Sequence, residues 1–507
     1  MSDLNIQSAE FDTILQNSLP ETPPENIVHE VTPWRKAVKR ILVGLALTTF
    51  TLNLWNLDYI LSTAGMILTL LGFRTLRREN GWFRACYVIT AIRTAYKIAN
   101  LILDATIYRG AIEETTVMRI LGAISIGLSI AVLFCFWRGF AAILRKAELP
   151  DRAGSAAALF VWYLIALVFA LLPIDPLIVI IGFFISYIFI LRSLFKLSRK
   201  LDETGYNIQT APVRISDRVV VSVILIPLAV GIACGYLFCN SLPMDWSEQT
   251  VYEDTKVEAI QNDLIRLGFP EDVLNDLTEE DILACEGALQ VYVEEEDLPF
   301  NNGRKEIKTI THGGVVLRNE VSTIYDAYEM HATGVAVKLS DAPERWKLFH
   351  HFRWNINPGF YGSENIRIQA AYQLVWWNAD GAPSGQVLFD RDGVTYTAPY
   401  YELDNSQQVY TAYIWGEQTT TDIWATFSLP QKGENQRGYV SYSIVGEKSD
   451  INFRHVMDYT HQRNFLQYPV QTATEHLKNG GWNNIAFRTR QHSMTYFASG
   501  LETDSDS

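Results

Sequence analysis

Before residue 240 the chain carries one apolar run after another, several long enough to approach the thickness of a bilayer; beyond it there is none. No other feature restricts the fold as strongly, because backbone in lipid must satisfy its hydrogen bonds internally. Overall composition conceals this. The figures of 48% hydrophobic and 19% charged residues describe an ordinary globular chain, but they average two unlike halves. Residues 34–240 hold about 22 basic against about 11 acidic residues, and residues 241–507 about 20 against about 39. The net charge of −14 belongs mainly to the C-terminal half and argues against nucleic acid as a partner there.

The spacing of polar residues divides the apolar runs into helical hairpins. Residues 38–73 are apolar over about 36 positions, roughly 54 Å of helix, which is too long for one crossing. Asn53, Asn56 and Asp58 supply a turn near the middle. The stretch LLPIDPLIVIIGFF (171–184) repeats the design, with Pro173, Asp175 and Pro176 between two apolar arms. Glu113 and Glu114 fall close to midway between Asp58 and Asp175, which suggests three hairpins at a period of about 55–60 residues. Residues 83–108 are the weak member. There Arg93, Lys97, Asn100 and Asp104 recur at intervals that form one stripe on a helix, with Asp104 one turn above Asn100. If this helix crosses, the stripe faces the bundle interior, and Asp104 lies within reach of cationic partners. If it lies flat in the interface, every later segment inverts. The basic clusters after each returning span favour crossing.

The resulting expectation is a multi-domain chain built on a polytopic α-helical membrane bundle over 34–240. It has about seven spans, near 38–54, 57–73, 83–108, 117–137, 155–172, 177–191 and 219–239. Residues 1–33 contain six acids, no Lys or Arg and four prolines, and read as a disordered acidic cytoplasmic tail. They lack the basic start and apolar run of a cleavable signal peptide. Charge bias places the N-terminus in the cytoplasm and the chain from 241 onward outside a plasma membrane. With no N-x-[ST] sequon present, a bacterial membrane is the default.

Residues 241–288 read as a small helical module. In LTEEDILACEGA, Thr278 stands three before Asp281, an acidic variant of the capping box. From 289 to 498 the pattern changes to period two. IRIQAAYQLVWW (366–377) sets Ile366 and Ile368 on one face and Arg367 and Gln369 on the other, with turns expected at NADG, DRDG and KGENQRG. Many short strands at this spacing predict an antiparallel β-sandwich or jelly roll, and residues 499–507 a second acidic tail.

Candidate sites are few. His350 and His351 are adjacent, so in a strand they face opposite ways and cannot share a metal; His350 reads as a hydrogen-bonded core or groove residue. His455 and His461 flank Asp458 without a zinc spacing, and no metal or other cofactor is expected. Tryptophans in strands usually fill cores. Trp377 and Trp424, however, fall on the polar side of their strands and are candidates for exposed rings that stack on a ligand. Tyr400, Tyr401 and Tyr410 could extend that patch. Neither G-x-S-x-G nor GxxxxGK[ST] occurs, so an enzymatic role has little support. Five cysteines supply no disulfide framework. The expected function is binding or sensing by an extracytoplasmic β-domain, with a glycan or peptide as ligand and the lipid bilayer as the other partner. The alternative is a transporter or channel subunit that uses Arg93, Lys97 and Asp104.

Overall fold

The computed structural model describes residues 33–50, 56–150, 153–170, 172, 177–204, 206, 208–211, 215–250, 254–312, 315–370, 377–412, 416–446, 453–481 and 485–496. The chain forms two compact units. One draws on residues up to Leu103 and on Ala111–Ala233; the other draws on Asp104–Gly110 and the chain from Cys234 onward.

The helices up to residue 238, nearly all in the first unit, are in chain order α1 (Pro33–Thr49), α2 (Leu57–Leu76), α3 (Gly81–Leu103), a short α4 (Arg109–Glu113), α5 (Thr116–Lys146), α6 (Gly154–Ala170), α7 (Leu177–Glu203) and α8 (Asp217–Phe238), the start of α4 and the end of α8 belonging to the second unit. Five of them (α2, α3, α5, α7 and α8) are long and apolar enough to cross a membrane. α6 is apolar but spans 17 residues, as does α1, whose first half carries Arg35, Lys36, Lys39 and Arg40. Asn53 and the Pro173–Pro176 turn lie outside the described residues.

α1 and α2 pack backbone against backbone. A Cβ added at Gly44 would lie 2.5 Å from the Gly65 carbonyl oxygen, and one at Gly65 would lie 2.6 Å from that of Gly44. Small residues at such a seam let two helices approach where lipid offers no hydrophobic gain for association. Ion pairs then gather the basic helix ends at one end of the unit. Asp217 bridges Arg40 (2.8 Å) and Arg74 (3.1 Å). Buried Glu79 accepts from Lys146 (3.3 Å), the Tyr206 hydroxyl (2.8 Å) and the Gln209 N–H (2.7 Å).

The strands of the second unit are β1 (Ser247–Glu248), β2 (Gln290–Leu298), β3 (Arg304–His312), β4 (Val315–Ile324), β5 (Met330–Asp341), β6 (Glu344–Trp354), β7 (Glu364–Ala370), β8 (Trp377–Arg391), β9 (Val394–Pro399), β10 (Glu402–Ala412), β11 (Gly416–Phe427), β12 (Glu434–Gly446), β13 (Phe453–Gln462) and β14 (Phe487–Tyr496). They form a seven-stranded sheet in the order β1-β9-β8-β12-β6-β5-β2, a five-stranded sheet in the order β10-β11-β7-β13-β14, and the β3–β4 hairpin. All pairings are antiparallel. The two sheets share one core. Trp346, Phe352 and Val440 from the larger meet Ile366, Phe427 and Tyr459 from the smaller. Each such buried side chain contributes about 1.5–3 kcal/mol.

The other face of the seven-stranded sheet is covered by α9 (Thr255–Arg266), α10 (Glu271–Leu274) and α11 (Glu279–Leu283). Their Ile260, Leu264, Val273 and Ile282 pack on Val335, Val337, Phe349 and Tyr439. The module is thus a third layer of the β-domain. Cys285 is buried within it.

Among the expected turns, DRDG closes the β8–β9 hairpin with Asp392 and Gly393 both at positive φ (52° and 78°), as a two-residue turn of this kind requires. NADG does not turn. Its residues lie within β8 and pair with β12 across a register shift between Ser441 and Ser443, and Gly381 at φ 90° accommodates the irregularity.

Candidate ligand-binding site

The outward-facing residues of the five-stranded sheet alternate with its core residues. In β7 Ile366 and Ile368 point inward while Asn365, Arg367 and Gln369 point outward; in β11 Ile423 and Ala425 point inward, and Asp422, Trp424 and Thr426 outward. Strand register then aligns side chains that are distant in sequence. Trp424 pairs with Arg367 and Arg367 with Asp458, and Asp404 and Gln491 complete the row on either side.

Arg367 organises the row. It donates to Asp422 through Nε (3.0 Å) and Nη2 (2.9 Å) and to Gln369 Oε1 (2.8 Å), and its Nη1 lies 4.0 Å from Asp458. Asp458 also accepts from Gln369 (3.2 Å) and Gln491 (2.7 Å). Burial pushes the Asp458 carboxyl above its ordinary range, and the nearby Asp422 charge adds to this, against the Gln491 hydrogen bond and the Arg367 charge. The Arg367 guanidinium carbon sits 5.3 Å from the Trp424 ring centroid and Lys478 Nζ 5.6 Å from it. Lys478 comes from α12 (Ala473–Lys478), which begins with a Thr472/Glu475 capping box and rests on the sheet through Thr474, bonded to Asn365 (2.9 Å) and Thr426 (2.7 Å). Trp424 itself is half-buried, and its Nε1–H is enclosed without an acceptor. A buried donor with no partner carries a desolvation cost of about 1–3 kcal/mol. The face therefore presents a half-buried flat ring, the Arg367 guanidinium and the Gln369 and Gln491 amides, with the Asp422 and Asp458 carboxylates (1% and 4% exposed) buried among them and orienting them, a set suited to a hydroxyl- or amide-rich ligand.

The other expected site residues scatter. Trp377 opens β8, and Tyr410 pairs with Gln418 in β10, but their side chains lie outside the described ones. Tyr401 is 44% exposed at the start of the same sheet, its N–H bonded to the Thr426 carbonyl at 3.0 Å. Tyr400 and His350 are both core: His350 takes the core alternative of its core-or-groove reading, and Tyr400 does not extend the exposed patch. Tyr400 is 7% exposed and donates its hydroxyl to the Tyr439 carbonyl at 3.0 Å. His350 is fully buried between the sheets, its Nε2 3.4 Å from the Tyr442 hydroxyl. His351 faces the opposite side and bonds Asp276 at 2.9 Å. Neither Tyr400 nor His350 can reach a ligand without opening the sandwich. Among the described residues no three His, Cys, Asp or Glu converge as a metal site.

In the helical unit Arg93 lines a cavity of about 370 Å³ with Thr48, Ser129, Trp162, Tyr163 and Tyr187, and its Nε is buried with no hydrogen-bond partner. Lys97 lies 5.4 Å from the Tyr59 ring centroid, and Asn100 is half-buried. Asp104 leaves the stripe: α3 ends at Leu103, and Asp104 pairs with Arg109 at 3.2 Å. Its carbonyl accepts the Val470 N–H at 2.7 Å, within the second unit. The position lost its helical register because the chain there is captured by Leu242 and Val470 around Ile107.

Fold and site together define a class: a chain with membrane-capable helices followed by an antiparallel sheet domain. No family model matches the chain, and no curated protein sequence does. Solved structures that match include a pore forming protein, at 8% identity over 31% of this chain and 83% of its own, with a TM-score of 0.16. Another is a collagen-binding domain from a Staphylococcus aureus adhesin, at 10% identity over 30% of this chain and 88% of its own, also with a TM-score of 0.16. Likeness at that level carries no argument about what this chain does.

Proposed function

We propose that this chain is a multi-pass protein of a bacterial plasma membrane that displays a β-sandwich of the jelly-roll kind outside the cell to bind a glycan or peptide. In this reading α1 and α6 join the five longer helices to make about seven crossings, with the N-terminus in the cytoplasm and domain boundaries near 240 and 289. Of the acidic tails, residues 1–32 and 499–507 lie outside the described residues. Charge bias supports the orientation: the basic ends of α1, α2 and α5 lie together, and such ends stay in the cytoplasm. Repeated passage of the chain between the two sheets supports the sandwich topology.

The observation that carries the binding reading is Trp424, a ring ringed by Arg367, Asp422 and Lys478 with its indole N–H unfilled. The guanidinium and amides beside it match sugar hydroxyls better than an apolar peptide face. The test is labelled glycan and peptide libraries added to intact cells expressing the full chain. A captured glycan whose affinity falls tenfold or more in Trp424→Ala, with expression unchanged, is the expected result. Binding indifferent to Trp424, or seen only after lysis, refutes the site or the orientation respectively.

A second reading, a transporter or channel subunit, is favoured by the Arg93 cavity. A guanidinium group with an unsatisfied Nε beside several hydroxyls suits a small anion in transit. Arg93→Gln in proteoliposomes is expected to abolish anion flux while leaving assembly intact; full flux in that variant removes this reading.

A further inference from the structure

We infer that the end of the β-sandwich at which α8 arrives rests on the lipid surface, with Leu466 and Ile485 seated at its headgroup–acyl boundary. The inference rests on the membrane reading of α8 and is independent of the Trp424 platform. α8 fixes the depth. From the charged Arg218 to Phe238 is about 30 Å of helix, the thickness of the hydrocarbon core, so the boundary falls level with Phe238. Leu237 and Phe238 are exposed there, as lipid-facing side chains are. Tyr236 donates its hydroxyl to the Gln467 carbonyl and packs its ring on that of Phe465, with centroids 5.9 Å apart. Leu466 stands between those two residues. The loop that carries it is therefore held level with the end of the span.

Single apolar side chains are ordinary on a protein surface. This pair differs by its exposure, its proximity and what holds it in place. Leu466 is 73% exposed and Ile485 87%, the two most exposed large apolar side chains among the described residues after α8. They are neighbours: the Arg463 and Asn464 N–H groups bond the Ala486 carbonyl (2.7 and 3.3 Å), and Asn464 Nδ2 bonds that of Ile485 (3.4 Å). Bonds also tie the loop down on both sides of Leu466. Gln462 Nε2 bonds the Asn464 carbonyl (3.1 Å), and Gln467 Nε2 that of Gln471 (2.9 Å). The Val470 N–H bonds the carbonyl of Asp104, the residue just past membrane-capable α3 (2.7 Å). The ends of two spans thus hold the loop, and it turns its leucine outward. At that depth the medium beside the protein is lipid headgroup and upper acyl chain, which removes the apolar pair from water. The Ile107 N–H bonds the Cys239 carbonyl (3.1 Å), so exposed Tyr108 adds an amphipathic ring at the same level, as aromatic belts do at membrane boundaries. Two such anchors beside α8 hold the sandwich at one tilt to the membrane.

The experiment places a diazirine amino acid singly at the positions of Leu466, Ile485, Phe238 and Leu289 in the full chain. Each protein is reconstituted in phosphatidylcholine vesicles, and lipid adducts are counted by mass spectrometry after illumination. Leu289 is the control. It is 51% exposed but lies before the far end of β2, about 30 Å from Leu298 and the nearby Asn302 that Arg463 bonds (3.1 Å). Adducts at 466 and 485 are expected to exceed those at 289 at least tenfold and to approach those at 238. Yields at 466 and 485 as low as at 289, with 238 labelled, overturn the seating and leave the membrane reading standing. No adduct at 238 removes α8 from the membrane, and the seating falls with it. Adducts at 466 and 485 to a second protein chain in place of lipid would assign the pair to a protein interface and overturn the lipid. The wild type gives a second readout that needs no substitution. Hydroxyl-radical footprinting in nanodiscs should oxidise Leu466 and Ile485 at least fivefold less than Leu289, the reverse of their order of exposure in the protein alone. Oxidation that follows that order refutes the proposal.

Discussion

Lowering the pH from 7 to about 4.5 is expected to remove roughly 5 kcal/mol of stability from the sheet unit through His455 and His492 alone. Both rings are buried on the inner face of the five-stranded sheet, and His350 lies opposite them on β6 with its ring centroid 6.4 Å from that of His492. The Tyr442 hydroxyl hydrogen-bonds His455 Nδ1, but His350 Nδ1 has no partner. Burial pushes His455 down to about 3, and burial with His331 nearby pushes His492 down to about 4 against the influence of Glu294. Burial, then the neighbouring His492 and His455, holds His350 well below its ordinary value.

The direction follows from proton counting. An unfolded histidine titrates near about 6.5, so below that pH the unfolded chain binds more protons than the folded one. Stability is therefore complete above that value and drains away as the pH falls toward the folded values. Asp281 and Asp390, which their partners hold below the carboxylate range despite burial, add to the loss at lower pH. Glu364 and Asp458, pushed up mainly by burial, oppose it. Denaturant titrations at pH 7, 5.5 and 4.5, read by tryptophan fluorescence, measure the sum. The slope against pH should shrink in His492→Leu, and a midpoint independent of pH down to 4.5 would mean the rings are solvated in the folded chain.

The second large effect is expected at Asp281. Its carboxylate, on α11, accepts from Lys347 Nζ (2.9 Å), Ser384 (2.6 Å), Ser441 (2.9 Å) and the Tyr439 hydroxyl (2.7 Å), all from the seven-stranded sheet. Both charges are buried, with side chains 8% and 2% exposed. Asp281→Asn leaves the Lys347 ammonium in the interior without its counter-charge and is expected to cost about 3–5 kcal/mol, seen as a lowered midpoint of denaturation. Adding Lys347→Met should restore much of that loss, since an apolar pair of similar volume replaces a broken ion pair. If the single variant were as stable as the parent, the pair would have to be solvated, and the helical module would then be held by its apolar face alone. The same site shows how local signals can mislead. Thr278 caps the Asp281 N–H (3.3 Å) as the sequence predicts, but the Thr278 N–H goes to Tyr439 (2.9 Å), because the Asp281 carboxylate is engaged by the sheet.

Features with a short period were legible. Apolar runs of helix length before 240 and alternation after 289 needed no partner to be recognised, since each reports how a single element meets its surroundings. The opposed directions of His350 and His351 follow from the pleat alone. Trp424 was found because it breaks its strand's alternation. Its partners were not found: Arg367 stands on the polar face of one strand and Asp458 between two histidines of another, nothing in the sequence links either to Trp424, and only the register of β11, β7 and β13 makes them one array. Tyr400 was misplaced for the same reason, since the group that buries its hydroxyl is the Tyr439 carbonyl, 39 positions away.

What the sequence by itself determined is the division into a helical half and a β half, the faces of individual strands, and the basic ends of the helices. Tertiary structure alone decided which charges meet. It drew Asp104 out of the Arg93 stripe and closed Asp281 over Lys347. The physical reason is range: periodicity is set by neighbours a few residues away, whereas a side chain's partner depends on register and packing between elements that the chain joins through long loops.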